Sequence, residues 1–206
     1  MEAAAVVGER SAGPVERFAA IGDVHGNWQA LARAISASRR AEAELIVCVG
    51  DIAGHPEATN RCADILAGAK VVTVRGNHDR WLLDAIRDQP SVAEAFTPQT
   101  QQFLRDLPAT AHFGTNNGAC LVCHGVGQND LGHFPATFLR TFLSRQRRLG
   151  RLSPETSVVV HGHSHRSRVD VLDGLTIVSV GRVSGDASTG CVLISNGGRD
   201  VTPLRY

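Results

Sequence analysis

Short apolar runs alternate with amphipathic segments along the first half of the chain. Residues 18–21, 45–49 and 71–74 have the length and composition of buried strands, and each run leads within two residues to a glycine. Between these runs, residues 27–38 and a segment that begins at Pro56 repeat apolar side chains at helical spacing. This β-α-β-α-β order predicts a parallel sheet with right-handed crossover connections.

The second half continues with helices and then with strands. Thr97-Pro98 predicts the start of a short helix, and residues 134–149 predict a longer one with Phe138 on its apolar side. Strands are predicted at residues 157–160, 168–172, 175–180 and 191–195. Asp173-Gly174 is typical of a tight hairpin turn. The pattern therefore predicts an α/β domain with an antiparallel finish over residues 17–206, preceded by a flexible N-terminal extension over residues 1–16.

Composition narrows the class of protein. The 206 residues are 43% hydrophobic and 20% charged, which is typical of a globular domain that folds without disulfides or a structural metal. The formal net charge of +1 argues against a general nucleic-acid binder. Residues 1–14 lack the apolar core of a signal peptide, and no run approaches the ~20 apolar residues of a membrane span. We therefore expect a cytoplasmic protein with reduced cysteines and no membrane partner.

One cysteine pattern has a competing interpretation. Residues 120–124 read Cys-Leu-Val-Cys-His, which matches the C-x-x-C-H pattern of covalent haem attachment. Haem attachment normally requires export, and this motif lies in a strand-like run that would turn Cys120 and Cys123 to opposite faces. We therefore interpret both cysteines as core residues.

Polar side chains that can bind metals follow the predicted strands. The segments are Gly22-Asp23-Val24-His25-Gly26-Asn27, Gly50-Asp51, Gly76-Asn77-His78-Asp79, His124-Gly125 and His161-Gly162-His163-Ser164-His165. Each segment alone is explained as readily by a helix cap or a hydrogen-bonded histidine. Because the carboxyl ends of parallel strands meet at one edge of a sheet, we expect all five segments to converge. Oxygen and imidazole ligands without paired thiolates favour a catalytic Mn, Fe or Zn site over a structural zinc site.

In this order, the motifs GDVHGN, GD, GNHD, HG and GHSH resemble those of the calcineurin-like metallophosphoesterases, over residues 21 to about 190. Residues 50–56 and 104–110 also resemble the small bacterial phosphodiesterase branch of that superfamily. The resemblance implies a single-domain α/β/β/α sandwich, in which two mixed β-sheets are flanked by helices. It also implies a site for two divalent metal ions at the mouth of the sandwich.

The resemblance further implies a role for each site residue. The implied ligands are Asp23, His25 and His165 for one ion, Asn77, His124 and His163 for the other, and Asp51 as the bridge between them. A hydroxide that bridges the ions would attack the phosphate ester, and His78 would protonate the leaving oxygen. Asp79 would orient His78 or, alternatively, cap the following helix. Asn27 would brace the first loop or contact substrate.

Two departures bear on the branch of the superfamily. The second motif lacks the acidic-arginine run of protein phosphatases and dinucleoside tetraphosphatases, and the third ends in Asp79 rather than glutamate. Both departures argue against that branch. Arg182 stands where the bacterial branch usually has Asn-Pro-Gly-Ser, and it would either reach the substrate phosphate or face solvent in a turn.

The favoured function is therefore hydrolysis of a small phosphodiester. The alternatives are a phosphomonoesterase or a nucleotide or phosphoprotein phosphatase with the same metals, and a non-enzymatic scaffold of the same fold. The arginines of residues 140–151 predict a solvated helix face, with nucleic-acid binding as the less favoured interpretation. His161 is predicted to be scaffold beside the site, and His55, His112 and His133 have no predicted role. The sequence predicts no particular oligomeric state.

Overall fold

Two β-sheets lie face to face in the computed structural model, which describes residues 5–6, 13–183 and 190–206. The first sheet consists, in spatial order, of β11 (Asp200–Pro203), β10 (Cys191–Ser195), β2 (Arg17–Ile21), β3 (Leu45–Cys48) and β4 (Val72–Thr73). Strands β2, β3 and β4 are parallel, as the β-α-β-α-β order predicts. Strands β10 and β11 extend this sheet in the antiparallel sense, so the sheet is mixed.

The second sheet is built mainly from the later half of the chain. Its strands, in spatial order, are β1 (Ala5–Val6), β5 (Thr110–Thr115), β6 (Gly118–Cys123), β7 (Thr156–His161), β9 (Leu175–Ser179) and β8 (Arg168–Leu172). Strands β6, β7 and β9 are parallel, whereas β5 pairs antiparallel with β6, and β8 pairs antiparallel with β9. The β8–β9 hairpin turns at Asp173-Gly174, where both residues have positive φ, as a tight two-residue turn requires.

Helices cover the outer faces of both sheets. They are α1 (Trp28–Arg40), α2 (Pro56–Ala69), α3 (Asn77–Asp88), α4 (Pro90–Ala93), α5 (Pro98–Asp106) and α6 (Leu139–Arg148). Local sequence explains several helix starts: Asn27 and Thr97 accept hydrogen bonds from the first turns of α1 and α5, and Pro56 occupies the first position of α2. Among the described residues, none of the helices is long and apolar enough to cross a membrane.

Alternation along the strands divides the core into three layers. In β2 and β3, Ala20 and Val47 face the other sheet, whereas Ala19 and Ile46 face the helices α1, α2 and α5. In β6, Cys120 and Val122 pack between the sheets, while Leu121 and Cys123 pack towards α6. All five cysteines are buried and free, in agreement with the core interpretation of the C-x-x-C-H run. These layers confirm the expected α/β/β/α sandwich.

The predicted long helix over residues 134–149 is wrong in its first turn. The helix begins at Leu139, because the chain reaches it through Phe138, which has a left-handed φ of 57°. The side chain of Phe138 is 79% exposed and does not join an apolar helix face. Phe134 instead packs beside the ring of His161, and its carbonyl accepts a hydrogen bond from Arg168. These tertiary contacts hold residue 134 outside the helix.

The predicted N-terminal extension lies largely outside the described residues, which omit positions 1–4 and 7–12. Strand β1 pairs in parallel with β5. Further along the chain, Val15 is buried and forms a β-bridge with Thr115 of β5.

Candidate metal centre

Five loops converge at the carboxyl edges of the parallel strands. Asp23 and His25 follow β2, Asp51 follows β3, and Asn77 begins α3 just after β4. From the second sheet, His124 follows β6 directly, and His163 and His165 follow β7. The structure therefore brings all seven sequence-predicted ligands to the place where the two sheets meet.

The backbone at this edge is unusually constrained. Nine non-glycine residues of the described chain have positive φ, and four of them are predicted ligands: His25, Asp51, His163 and His165. Such conformations are unfavourable for residues with a Cβ atom and tend to cluster at functional sites. Glycine permits the close approach around them, because a Cβ atom at Gly162 would lie 2.3 Å from Asp23 Oδ1.

One group of ligand atoms is open to solvent. His25 Nε2 lies 2.9 Å from His165 Nε2 and 3.6 Å from Asp51 Oδ2. Ligand atoms from these three residues all lie within 4.8 Å of one another. The side chain of His165 is 42% exposed and that of His25 is 18% exposed, so a small molecule can reach this group from solvent.

A second group is buried. It consists of Asp23, Asp51 and His124, whose ligand atoms also lie within 4.8 Å of one another. His124 Nδ1 lies 2.7 Å from the carbonyl oxygen of Val49, to which it donates. His124 Nε2 then faces Asn77 Oδ1 at 2.9 Å and Asp51 Oδ2 at 3.4 Å. Asp51 belongs to both groups and so occupies the position expected of a bridge.

Burial and the paired charges of Asp51 and His124 set the pKa values of the centre. Burial raises the pKa of the Asp23 carboxyl to about 7 and lowers the pKa of His25 to about 4. Burial opposes ionisation of His124 as well, but its hydrogen bond to Asp51 and the nearby carboxylates raise the pKa to about 9. Burial likewise opposes the ionised form of Asp51, yet the hydrogen bond and charge of His124 hold its pKa below the usual value.

The chemistry of these donors fits divalent cations. When His124 donates through Nδ1 in its neutral form, Nε2 is an acceptor that faces two further acceptors, the oxygens of Asn77 and Asp51. Within the described residues, buried Asp23 Oδ2 has no hydrogen-bond partner. Buried acceptors without donors are costly unless a proton or a cation lies between them. A divalent cation takes oxygen and imidazole ligands and would therefore suit these acceptors.

His78 and Asp79 lie beside this centre on the first turn of α3. His78 is exposed, and its ring centroid lies 4.9 Å from that of His25. The Asp79 carboxylate instead accepts hydrogen bonds from the backbone N–H groups of Ile52, Ala53 and Gly76, at 2.8, 2.9 and 2.9 Å. The capping alternative is therefore the one that the structure shows for Asp79, which also ties the loop after β3 to α3. Among its described hydrogen bonds, none goes to the His78 ring.

Three further predicted residues lie at the margin of the centre. Asn27 Oδ1 accepts a hydrogen bond from the N–H of Ala30, so this side chain caps α1. Arg182 is exposed and forms a β-bridge with Asp23; burial is the main cause of the lowered pKa values of His25 and His165, and the charge of Arg182 adds to it. The N–H of His163 donates to Asp23 Oδ1, but its ring nitrogens fall outside both ligand groups.

His133 is a neighbour of the site that sequence reasoning missed. Its ring lies 4.5 Å from the ring of His163, with 33° between their planes. Nothing in the local sequence marks this position, because His133 lies in an irregular loop between β6 and α6, nine residues beyond His124. His161, predicted as scaffold, is buried beside Phe134, and its Nδ1 lies 3.1 Å from the Gly162 carbonyl oxygen.

Comparison with known proteins defines the class to which this fold and site belong. The family model described as the calcineurin-like phosphoesterase superfamily domain matches residues 17–196. The chain therefore belongs to this superfamily.

Individual relatives are distant. An uncharacterized protein of Methanocaldococcus jannaschii, MJ0912, is 32% identical over 66 residues, which cover 32% of this chain and 27% of that protein. A metallophosphoesterase of Sphaerobacter thermophilus has the same fold, with a TM-score of 0.66 and 21% identity over 92% of this chain and 88% of its own. A structure described as a novel archaeal phosphodiesterase aligns with a TM-score of 0.59 and 12% identity, over 92% of this chain and 99% of its own.

Proposed function

We propose that this protein is a metal-dependent hydrolase that cleaves phosphodiesters. The observation that carries the proposal is the position of Asp51, which belongs to both groups of ligand atoms. A carboxylate shared between two ligand groups suits a pair of divalent cations, because it neutralises part of their mutual repulsion. Membership of the calcineurin-like phosphoesterase superfamily supports the same reaction class.

Asp23, His25 and His165 would hold one ion, Asn77, His124 and His163 the other, and Asp51 both. Mn, Fe and Zn suit this mixture of imidazole, carboxylate and amide ligands. When bound, the ions would lower the pKa of coordinated water and neutralise charge on the phosphate. Imidazoles of depressed pKa, such as that of His25, are neutral near pH 7 and so have a lone pair available for coordination.

The leaving group would receive its proton from His78. The backbone N–H of His78 donates to Asp51 Oδ1 at 3.0 Å, which fixes the residue beside the centre. Its exposed ring is next to His25 on the open side, where a substrate can approach. Arg182 flanks the same side and would contribute positive charge to a bound phosphate.

Two features support the preference for diesters. Residues 50–56 and 104–110 resemble the small bacterial phosphodiesterase branch, and the fold is shared with the archaeal phosphodiesterase. Its test compares bis(p-nitrophenyl) phosphate with p-nitrophenyl phosphate, using purified protein loaded with Mn²⁺. We expect faster release of p-nitrophenolate from the diester. A faster reaction with the monoester would contradict the diester preference and favour a phosphomonoesterase.

The roles of Asp51 and His78 are separated by measuring turnover and metal content together. We expect Asp51→Asn to reduce both, and His78→Ala to reduce turnover by roughly 10²–10⁴-fold with its metal retained. His55→Ala is a matched control, since His55 is an exposed histidine at the start of α2 and should leave both quantities unchanged. Two ions per chain in Asp51→Asn, or normal turnover in both site variants, would overturn the assignment.

A further inference from the structure

A small cavity opens beside the buried half of the metal centre. Its volume is about 180 Å³, and its lining includes Arg75, Arg80, Gln128, Asp130 and the candidate ligand His124. This volume is below the ~300 Å³ at which pockets for whole small molecules begin. The cavity is therefore sized for one group of a larger ligand whose remainder lies elsewhere.

The position of Arg80 links this cavity to the candidate centre. Arg80 lies in the first turn of α3, three residues after Asn77 and hence on the same face of the helix. His78 and Trp81 are likewise three residues apart, and their ring centroids lie 4.9 Å from each other on the open side. One helical turn thus directs the buried amide of Asn77 and the half-buried guanidinium of Arg80 to one side, and an imidazole and an indole to the open side.

The guanidinium of Arg80 is held in place by Asp130. Nε lies 2.6 Å from Asp130 Oδ2, and Nη2 lies 3.1 Å from Oδ1, which is a bidentate pair. This pair uses one edge of the guanidinium and leaves the N–H groups of Nη1 outside it. Asp130 directly follows a tight turn, in which Val126 and Asn129 exchange backbone hydrogen bonds at 2.9 and 3.0 Å. The arginine is therefore oriented before any ligand binds.

The charge of the lining selects the kind of group that would bind. Two arginines and one aspartate give a formal charge of +1 before any contribution from His124 or from bound cations. A planar guanidinium that is already oriented is well suited to a phosphate or carboxylate. We propose that this cavity is a subsite for a second anionic group of the substrate, bound by Arg80 while a phosphodiester lies at the metal centre. This inference rests on the proposed function and adds that the substrate carries two anionic groups.

The experiment uses two thymidine esters that differ in one group. Both carry a p-nitrophenyl phosphate diester on the 5′ oxygen, and only one also carries a 3′-phosphate. We expect the Mn²⁺-loaded protein to have a kcat/KM that is roughly tenfold higher for the 3′-phosphorylated ester, and Arg80→Ala to lose this preference through KM. Arg87→Ala is the matched control, because Arg87 is an exposed, ion-paired arginine of the same helix. It should retain the preference.

Calorimetric binding of thymidine 3′,5′-bisphosphate and thymidine 5′-monophosphate provides a readout without turnover. We expect the bisphosphate to bind about tenfold more tightly than the monophosphate to the wild type and to Arg87→Ala, and equally to Arg80→Ala. Equal binding of both nucleotides to the wild type would overturn the subsite, even if both esters are hydrolysed. If neither ester is hydrolysed but the Arg80-dependent binding is present, the proposed function fails and the subsite stands.

Discussion

The two halves of the candidate metal centre differ sharply in burial. Asp23, Asp51, Asn77 and His124 are buried where the two sheets meet, and His124 has no solvent exposure. His25 and His165 lie where the loops reach solvent, next to the exposed His78. We therefore expect the buried half to contribute to the stability of the fold, whereas the open half consists of groups that can meet a substrate without disturbing the core. Asp51 connects the two halves.

Among the residues around the buried half, Asp79 should have the largest effect on the free energy of unfolding. Its carboxylate accepts from three backbone N–H groups that secure the loop carrying Asp51 to the start of α3. Asp79→Ala would leave these buried donors without partners, and we expect it to lower the free energy of unfolding by about 4 kcal/mol. Urea unfolding followed by circular dichroism measures this change.

Asp84→Ala is the control for that measurement, since Asp84 is on the same helix and its side chain is 45% exposed in an ion pair with Arg87. It should change the stability by less than about 0.5 kcal/mol. Equal losses in the two variants would show that Asp79 does not support the buried half.

The histidines provide a direct comparison of the two halves. In protein treated with chelator, His124→Ala should lower the free energy of unfolding by about 3 kcal/mol. The substitution leaves the buried Asp51 carboxylate without its charged partner and removes the hydrogen bond to the Val49 carbonyl. His165→Ala, at an exposed position, should cost less than about 0.5 kcal/mol. Both variants should lose metal affinity. Similar thermal stabilities for these two variants would contradict the division into a structural and an accessible half.

Added metal should strengthen the folded state through both halves. A divalent cation at 100 times its dissociation constant stabilises a protein that binds it only when folded by about 2.7 kcal/mol per site. We therefore expect the melting temperature of chelator-treated protein to rise with added Mn²⁺, and to rise less in the His124→Ala variant. Differential scanning fluorimetry across a Mn²⁺ titration is sufficient. No rise in the wild type would argue that these acceptors do not bind a cation.

Local and tertiary signals differ in how much of the fold they allow the sequence to predict. The strands at β2 and β3 and the helices α1 and α2 could be predicted because apolar periodicity and capping residues are local signals. The pairing of β10 with β2, at opposite ends of the chain, depends on tertiary packing that no local pattern records. The predicted start of α6 was wrong for the same reason, because contacts of Phe134 with distant residues override its helical spacing.

The candidate site divides in a similar way. The seven predicted ligands lie in motifs that follow strands, so their convergence could be predicted. His133 and Asp130 lie outside these motifs and reach the site through the geometry of the loop between β6 and α6, whereas Arg80 follows the third motif on α3. For Asp79, the sequence left two roles open, because a residue beside a histidine at a helix start can serve either one. The distances to Gly76, Ile52 and Ala53 distinguish them.

The smallest expected effect is a difference in how fast individual histidines react with diethylpyrocarbonate. This difference compares the two halves directly. The reagent requires access to a neutral ring, so in chelator-treated protein at pH 7 the exposed histidines should be modified first, namely His55, His78, His133 and His165. His161 should resist modification although burial lowers its pKa to about 4, because a neutral ring without access to solvent cannot react. His124 should resist for two reasons, since it is buried and its pKa is raised to about 9.

Peptide mass spectrometry after brief and long exposure resolves the order of modification, and urea-unfolded protein, in which all nine histidines are accessible, corrects for intrinsic reactivity. Early modification of His161 would mean that the core beside the centre opens to solvent. Early modification of His124 together with His165 would mean that the two halves are equally accessible. Because His161 and His124 differ in charge and agree in burial, their shared resistance would establish burial as the property that separates the halves.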